Sequence, residues 1–202
     1  MRNNVTLSRR GFGIGIAAGA VTFAMPRLAF ALTVDDARAL VGRTIDTVNS
    51  IINSGKSESA MLSDFEKMFA RFADVPVIAR SALGVAAKSA SKKQLSAFTK
   101  AFQGYISRKY GRRFREFAGG RIEVTDAKPL KSYFEVISVA YLPGEAPFDL
   151  RWHVSDKSGK DLFFNLIIEG VNMLASERAE IGALLDRRKG NIDQLIEDLK
   201  SI

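Results

Sequence analysis

The hydrophobic pattern changes period twice along this chain. Thr33-Val-Asp-Asp36 has the form of a capping site, and it opens a predicted helix over about 34–53 with Leu40, Ile45, Val48 and Ile52 near helical spacing. Ser54-Gly55-Lys56 breaks it. A second helix is predicted from about Ala60 to Phe72, with Met61, Phe65, Met68, Phe69 and Phe72 on one side. Asp74-Val75-Pro76 turns the chain into a short helix ending at Leu83-Gly84. Ser91-Lys-Lys-Gln94 is a capping box, and it opens a long helix carrying Leu95, Phe98, Phe102, Tyr105, Ile106, Tyr110, Phe114 and Phe117 as far as Gly119-Gly120.

Beyond Gly120 the period becomes that of strands. Arg121–Asp126 and Ser132–Leu142 are rich in β-branched and aromatic residues. After the Pro143-Gly144 turn, Phe148, Leu150, Trp152 and Val154 alternate with Asp149, Arg151, His153 and Ser155, which predicts one buried and one wet face. Asp156-Lys-Ser-Gly159 reads as a hairpin turn, and Asp161–Glu169 as a further strand. Helical spacing returns over about 174–188, and Asn191-Ile-Asp-Gln194 caps a last helix to Leu199. Helices, about four consecutive strands, then helices define an α+β chain with a meandering antiparallel sheet, the helical part about 32–118 and 174–202 and the sheet about 121–170. Its aromatic load suits either a dry core or an apolar cavity, and periodicity leaves both open.

Residues 1–31 stand apart from this pattern. They contain no acidic residue and four arginines, with Arg9-Arg10 ahead of a short Gly- and Ala-rich apolar run and Ala29-Phe30-Ala31 behind it. That is the form of a cleaved export signal, and the paired arginines suggest the twin-arginine route. The run is shorter than the ~20 apolar residues a spanning helix needs. These four arginines supply half of the formal net charge of +8, so the remainder, 32–202, is mildly basic without a polybasic tail. Nucleic acid is not an expected partner.

Composition narrows the chemistry. With no cysteine and one histidine, thiolate chemistry, disulfides and zinc sites are excluded, and no cofactor or metal is expected. His153 falls on the polar side of its strand and reads as a surface residue. Asp35 and Asp36 lie in a helix's first turn, where the dipole favours negative charge. A buried acid in a cone-shaped sheet would serve an isomerase or dehydratase, and Asp126 or Asp149 are the candidates, although Asp149 alternates away from Trp152. Gly11-x-Gly13-x-Gly15 follows no strand and is no nucleotide loop. Arg108, Lys109, Arg112, Arg113 and Arg115 form a basic patch on the long helix. It reads as a solvated face, with Arg108, Arg112 and Arg113 as the candidates for touching anionic headgroups or an acidic partner.

Two segments carry a resemblance. The first is Val75-Pro-Val-Ile-Ala-Arg-Ser-Ala-Leu-Gly84 followed by Ser91 to Phe102, Tyr110, Phe114 and Gly119-Gly120-Arg121-Ile-Glu-Val124. The second is Phe164-Asn-Leu-Ile-Ile-Glu-Gly-Val-Asn172, then Arg178 and Gly190-Asn-Ile-Asp-Gln-Leu-Ile-Glu-Asp-Leu199. In content, order and spacing they resemble the MlaC family of toluene-tolerance or ABC-transporter auxiliary proteins, across nearly all of residues 32–202. The resemblance implies a periplasmic protein with an NTF2-like sheet, a helical subdomain and a pocket for phospholipid tails. It also implies lipid traffic between an outer-membrane lipoprotein complex and an inner-membrane ABC transporter with a substrate-binding membrane subunit. The implied function is binding and carriage, not turnover.

The expected cavity residues are Phe98, Phe102, Tyr105, Tyr110, Phe114, Val136, Leu150, Trp152, Phe164, Leu166 and Ile168. The chain departs from the family pattern at Asp161 and Phe164-Asn165, where Trp and Tyr-Asp are usual. It departs also at Asn172, where Ser is usual, and at Glu177, where an aromatic commonly precedes Arg178. These positions leave the guest open between phospholipid and another amphiphile such as a hopanoid.

Overall fold

The computed structural model describes residues 32–113 and 117–202, so the predicted signal segment 1–31 and Phe114 lie outside the described residues. Six α-helices are described, α1 Val34–Ile52, α2 Glu58–Phe72, α3 Val75–Leu83, α4 Lys92–Gly111, α5 Met173–Arg187 and α6 Ile192–Ser201. A 3-10 turn over Gly84–Lys88 links α3 to α4. The strands are β1 Arg121–Leu130, β2 Tyr133–Tyr141, β3 Phe148–Ser155, β4 Leu162–Ile168 and β5 Val171–Asn172. They pair in chain order as one antiparallel meander, and the protein is α+β.

The helix starts follow from side-chain capping. Thr33 and Asp36 form a reciprocal capping box on α1, as do Ser91 and Gln94 on α4, while Asn191 accepts from Gln194 N at the start of α6. α4 ends eight residues before Gly119, at Gly111. There a Cβ would lie 2.6 Å from Leu62 Cδ2 and 3.3 Å from Phe65, so Gly111 lets α4 approach α2 closely. Phe117 lies beyond this end, in the passage to β1. β1 runs on to Leu130 through Pro129, which an edge strand tolerates because one row of its N–H groups needs no partner.

The fifth strand, too short to leave a periodic signal, comes from the Ile168-Glu169-Gly170-Val171 turn. Glu169 and Gly170 both have positive φ, 48° and 80°, which is the backbone of a tight two-residue hairpin. The family-like Glu-Gly pair is thus a turn, and Gly170 is the residue that makes it inexpensive.

α1 lies across β1, β2 and β3, with Ala37, Leu40, Val41, Ile45 and Val48 buried beneath it. α4 packs chiefly on α2, α3 and α6, and its residues from Ile106 to Gly111 share a cavity lining with residues of the sheet. α6 is pinned to α4 at both ends. Gln94 Nε2 donates to Asp193 at 3.1 Å, and the Arg108 guanidinium donates to the carbonyls of Leu199 and Ile202 at 2.5 and 2.8 Å.

One sequence expectation is corrected. His153 is buried, not a surface residue, because β3's polar side is covered at this end of the strand. The rings of Tyr133 and Phe164 lie 4.7 and 5.7 Å from the imidazole. Its Nδ1 is 3.4 Å from the Asn165 amide nitrogen, and its Nε2 is 3.5 Å from Glu135. A neutral ring protonated on Nε2 satisfies both neighbours. Burial lowers the imidazole's pKa below 6.5, and the opposing pull of Glu135 does not offset it.

A candidate lipid-tail site between sheet and helices

Two adjoining apolar chambers lie between the sheet and the helices. The larger, about 140 Å³, is walled by Thr44, Ile45 and Val48 of α1, Phe65, Met68 and Phe69 of α2, and Ile106, Ser107, Tyr110 and Gly111 of α4. Phe117, Ile122, Leu150, Trp152, Phe163 and Ile168 complete it. The smaller, about 100 Å³, is bounded by Ile78, Phe164, Asn165, Leu166, Met173, Leu174 and Glu177. Phe69, Ile106, Tyr110 and Phe163 belong to both, so the wall between them is made of four side chains. Among the described residues, no Asp, Glu or His lines the larger chamber.

The polar atoms of the larger chamber are turned away from it. Thr44 Oγ1 donates to Leu40 O at 2.9 Å and Ser107 Oγ to Gln103 O at 2.9 Å, each within its own helix. The Trp152 indole N–H donates to Ser138 Oγ at 3.0 Å, leaving the ring as apolar surface against Phe163, with centroids 5.5 Å apart. A guest in this chamber meets hydrocarbon, aromatic faces and satisfied hydroxyls. Such a wall binds by apolar transfer without selecting a particular polar group.

Phe163 owes its place to a β-bulge. His153 pairs with Asn165 and Val154 with Phe163, so Phe164 is the extra residue, and it packs edge-on to Tyr133 at 5.4 Å. Opposite, the α2–α3 junction docks on the same strand: Ala73 bridges to Phe163 in parallel, and Asp74, the N-cap of α3, accepts from Val77 N at 3.3 Å and from the Ser158 hydroxyl.

The expected cavity residues separate into two groups. Tyr110, Leu150, Trp152 and Ile168 line the larger chamber, and Tyr110, Phe164 and Leu166 the smaller. Phe98, Phe102, Tyr105 and Val136 line neither. The first three form a continuous aromatic run on another side of α4, and Val136 is fully buried opposite Trp152. The contributions of α1 and α2 were not anticipated, since their apolar stripes look like ordinary core. Thr44 is the one small polar residue on the chamber side of α1, and on α4 Ser107 and Gly111 are the small residues of the lining. In the basic patch, Arg108 is engaged by the C-terminal helix, Arg112 Nε stands 3.8 Å from Glu58, and Arg112 and Arg113 are exposed. Asp126 and Asp149 are exposed and line neither chamber.

A second set of polar groups adjoins the smaller chamber. Lys109 Nζ donates to Glu177 Oε1 at 2.7 Å, to Glu180 Oε2 at 2.5 Å and to Tyr105 Oη at 3.0 Å. Tyr105 Oη donates to Glu180 Oε1 at 2.7 Å, and Tyr110 Oη to Glu177 Oε1. Burial, reinforced by the carboxylates, raises the pKa of both phenols, so they are donors at any physiological pH. Burial works against the Lys109 ammonium, but its bonds to Glu177 and Glu180 outweigh this and raise its pKa.

A meandering sheet roofed by helices over an oily, hydroxyl-silenced interior is the architecture of a binding protein for apolar guests. The chain belongs to the MlaC family: the family model described as MlaC protein matches residues 42–201. Its fold is similar to that of a phospholipid-binding protein from Ralstonia solanacearum, solved in complex with a phospholipid, at a TM-score of 0.70 and 17% identity. That likeness covers 82% of this chain and 95% of the other. Among the described residues, no helix is long and apolar enough to cross a membrane, and no group of three or more His, Cys, Asp or Glu is placed to hold a metal ion.

Proposed function

We propose that this protein is a periplasmic lipid carrier, exported by the segment 1–31, that shields phospholipid tails in the two chambers and performs no turnover. The observation that carries the reading is the larger chamber, whose described residues offer no unsatisfied polar atom to a guest. Moving two acyl chains of about 30 methylenes into water costs ~24 kcal/mol at ~0.8 kcal/mol each, so lipid crosses an aqueous compartment only inside such an environment. A wall of hydrocarbon makes loading from a bilayer nearly balanced, which keeps unloading possible.

Chambers of this size each suit a guest on the scale of a benzene ring, for which a cavity of about 150 Å³ suffices. Tails therefore enter by displacing the four shared side chains, Phe69, Ile106, Tyr110 and Phe163. The proposed route runs between an inner-membrane ABC transporter and an outer-membrane lipoprotein complex, with Arg112 and Arg113 offering exposed positive charge to anionic headgroups or an acidic partner.

Native mass spectrometry of protein purified from cells tests this directly. The expected result is a co-purifying lipid mass, and uptake of labelled phospholipid by delipidated protein. A clean apo mass together with no uptake overturns the reading.

A further inference from the structure

Among the described residues, Glu177 is the one carboxylate on the chamber walls, and it is only 3% exposed. Its two oxygens are used unequally. Oε1 receives both available donors, Lys109 Nζ and the Tyr110 hydroxyl. Oε2 is buried without any hydrogen-bond partner, the one such side-chain atom among the described residues. A buried carboxylate oxygen left without a donor is costly, and proteins rarely leave one unless something else fills the position. The side chain itself is fixed by Lys109 and by Tyr110, both of α4, and Tyr110 belongs to the lining shared by the two chambers.

The charge balance points the same way. Glu177 and Glu180 set two carboxylates against the single ammonium of Lys109, and Tyr105 and Tyr110 remain neutral. The group therefore repels an anion and attracts a donor, above all a cationic one. The other polar side chains of the smaller chamber do not compete: Tyr110 Oη donates to Glu177 Oε1, and Asn165 Oδ1 already accepts from Leu166 N and Leu174 N at 2.9 and 3.1 Å.

We propose that Glu177 Oε2 is a polar anchor for the guest of the smaller chamber, which takes an amphiphile carrying a hydrogen-bond donor, a hydroxyl or an ammonium, and places that donor on this oxygen. The proposal rests on the carrier reading and adds selectivity to it. An anionic group without a donor gains nothing at this wall, and the larger chamber, with no such anchor among its described residues, takes hydrocarbon alone.

The test uses delipidated full-length protein and vesicles holding matched pairs. One pair is ethanolamine and choline phospholipids with identical acyl chains, the second a long-chain alcohol and its methyl ether. Expected is an enrichment of about tenfold for the donor-bearing member of at least one pair, the scale of one hydrogen bond to a charged acceptor. The pair that responds tells ammonium from hydroxyl. In Glu177→Leu the enrichment falls to about one; Glu177→Gln, which keeps the shape and an acceptor oxygen, retains part of it. Equal uptake of both members of both pairs by the unaltered protein overturns the anchor while leaving the carrier standing, and that arm requires no variant to fold. An undiminished preference in Glu177→Leu also overturns it. Absence of any uptake overturns both.

Discussion

The backbone N–H of Asp74 donates to the carbonyl of Phe163 at 2.8 Å, joining the start of α3 to the strand residue shared by both chambers. Sequence places these residues 89 positions apart, and no local pattern links them. The same aspartate caps α3 and holds Ser158 in the β3–β4 turn, so one short segment positions a helix start, a hairpin and an aromatic wall together.

Asp74→Ala is expected to cost about 1–2 kcal/mol, the range of a lost N-cap, because Val77 N and the Ser158 hydroxyl lose their acceptor. Urea denaturation with an unchanged m-value is the check. Unaltered stability would mean that the cap carries no weight.

Filling the larger chamber separates guest binding from folding. Val48→Phe adds volume into a space of about 140 Å³ and leaves the sheet pairing alone. Phospholipid uptake should fall at least tenfold with stability changed by no more than about 1 kcal/mol, as for other cavity-filling substitutions. Gly111→Ala, a smaller change, should be the more damaging to stability, by about 1–3 kcal/mol, because its Cβ meets Leu62 at 2.6 Å.

Acid should weaken the fold through His153. Its folded-state pKa lies below the unfolded value of 6.5, so between the two the unfolded chain binds more protons. The stability concerned is present above pH 6.5 and is lost as pH falls through the folded pKa. Glu135, with Lys128 and Arg151 beside it at 3.2 and 3.9 Å, moderates the loss by attracting the imidazolium. Denaturation midpoints at pH 7.5 and pH 5 should diverge in the unaltered protein and converge in part in His153→Gln. Equal divergence in both proteins would assign the effect to other groups.

Arg108→Ala should loosen α6 selectively, since its guanidinium satisfies the Leu199 and Ile202 carbonyls that the helix itself cannot. Hydrogen exchange should accelerate over residues 195–202 more than over α1. The expected destabilisation is about 1–2 kcal/mol, in the range for hydrogen bonds to a charged donor.

Much of the fold was legible because its signals are local. Thr33/Asp36, Ser91/Gln94 and Asn191/Gln194 announce helix starts within four residues, and the alternation from Phe148 to Ser155 announces a strand. The chambers were harder to read because they depend on what is missing. Phe98, Phe102 and Tyr105 stand at i, i+4 and i+7 and seemed the natural lining, yet that spacing turns them together into the helical core. The hollow lies beside Ser107 and Gly111, at the other end of α4 from Phe98. His153 was misread because the alternation rule treats the far side of β3 as open, and the β4 bulge brings Phe164 over it. Glu177 has no periodic signature at all: its burial depends on Lys109 and Tyr110, 67 or more positions away in the chain.

Phe69, Ile106, Tyr110 and Phe163 divide the chambers, and a side chain turns about its torsions without moving the backbone. Widening the division by turning these side chains breaks no strand pairing and no helix hydrogen bond, so capacity is adjustable in steps at the cost of rotamer strain and, at Tyr110, of its hydrogen bond to Glu177. Preference for longer or shorter hydrocarbon is then open to change by single substitutions at Phe69, Ile106, Tyr110 or Phe163, with the scaffold left as it is.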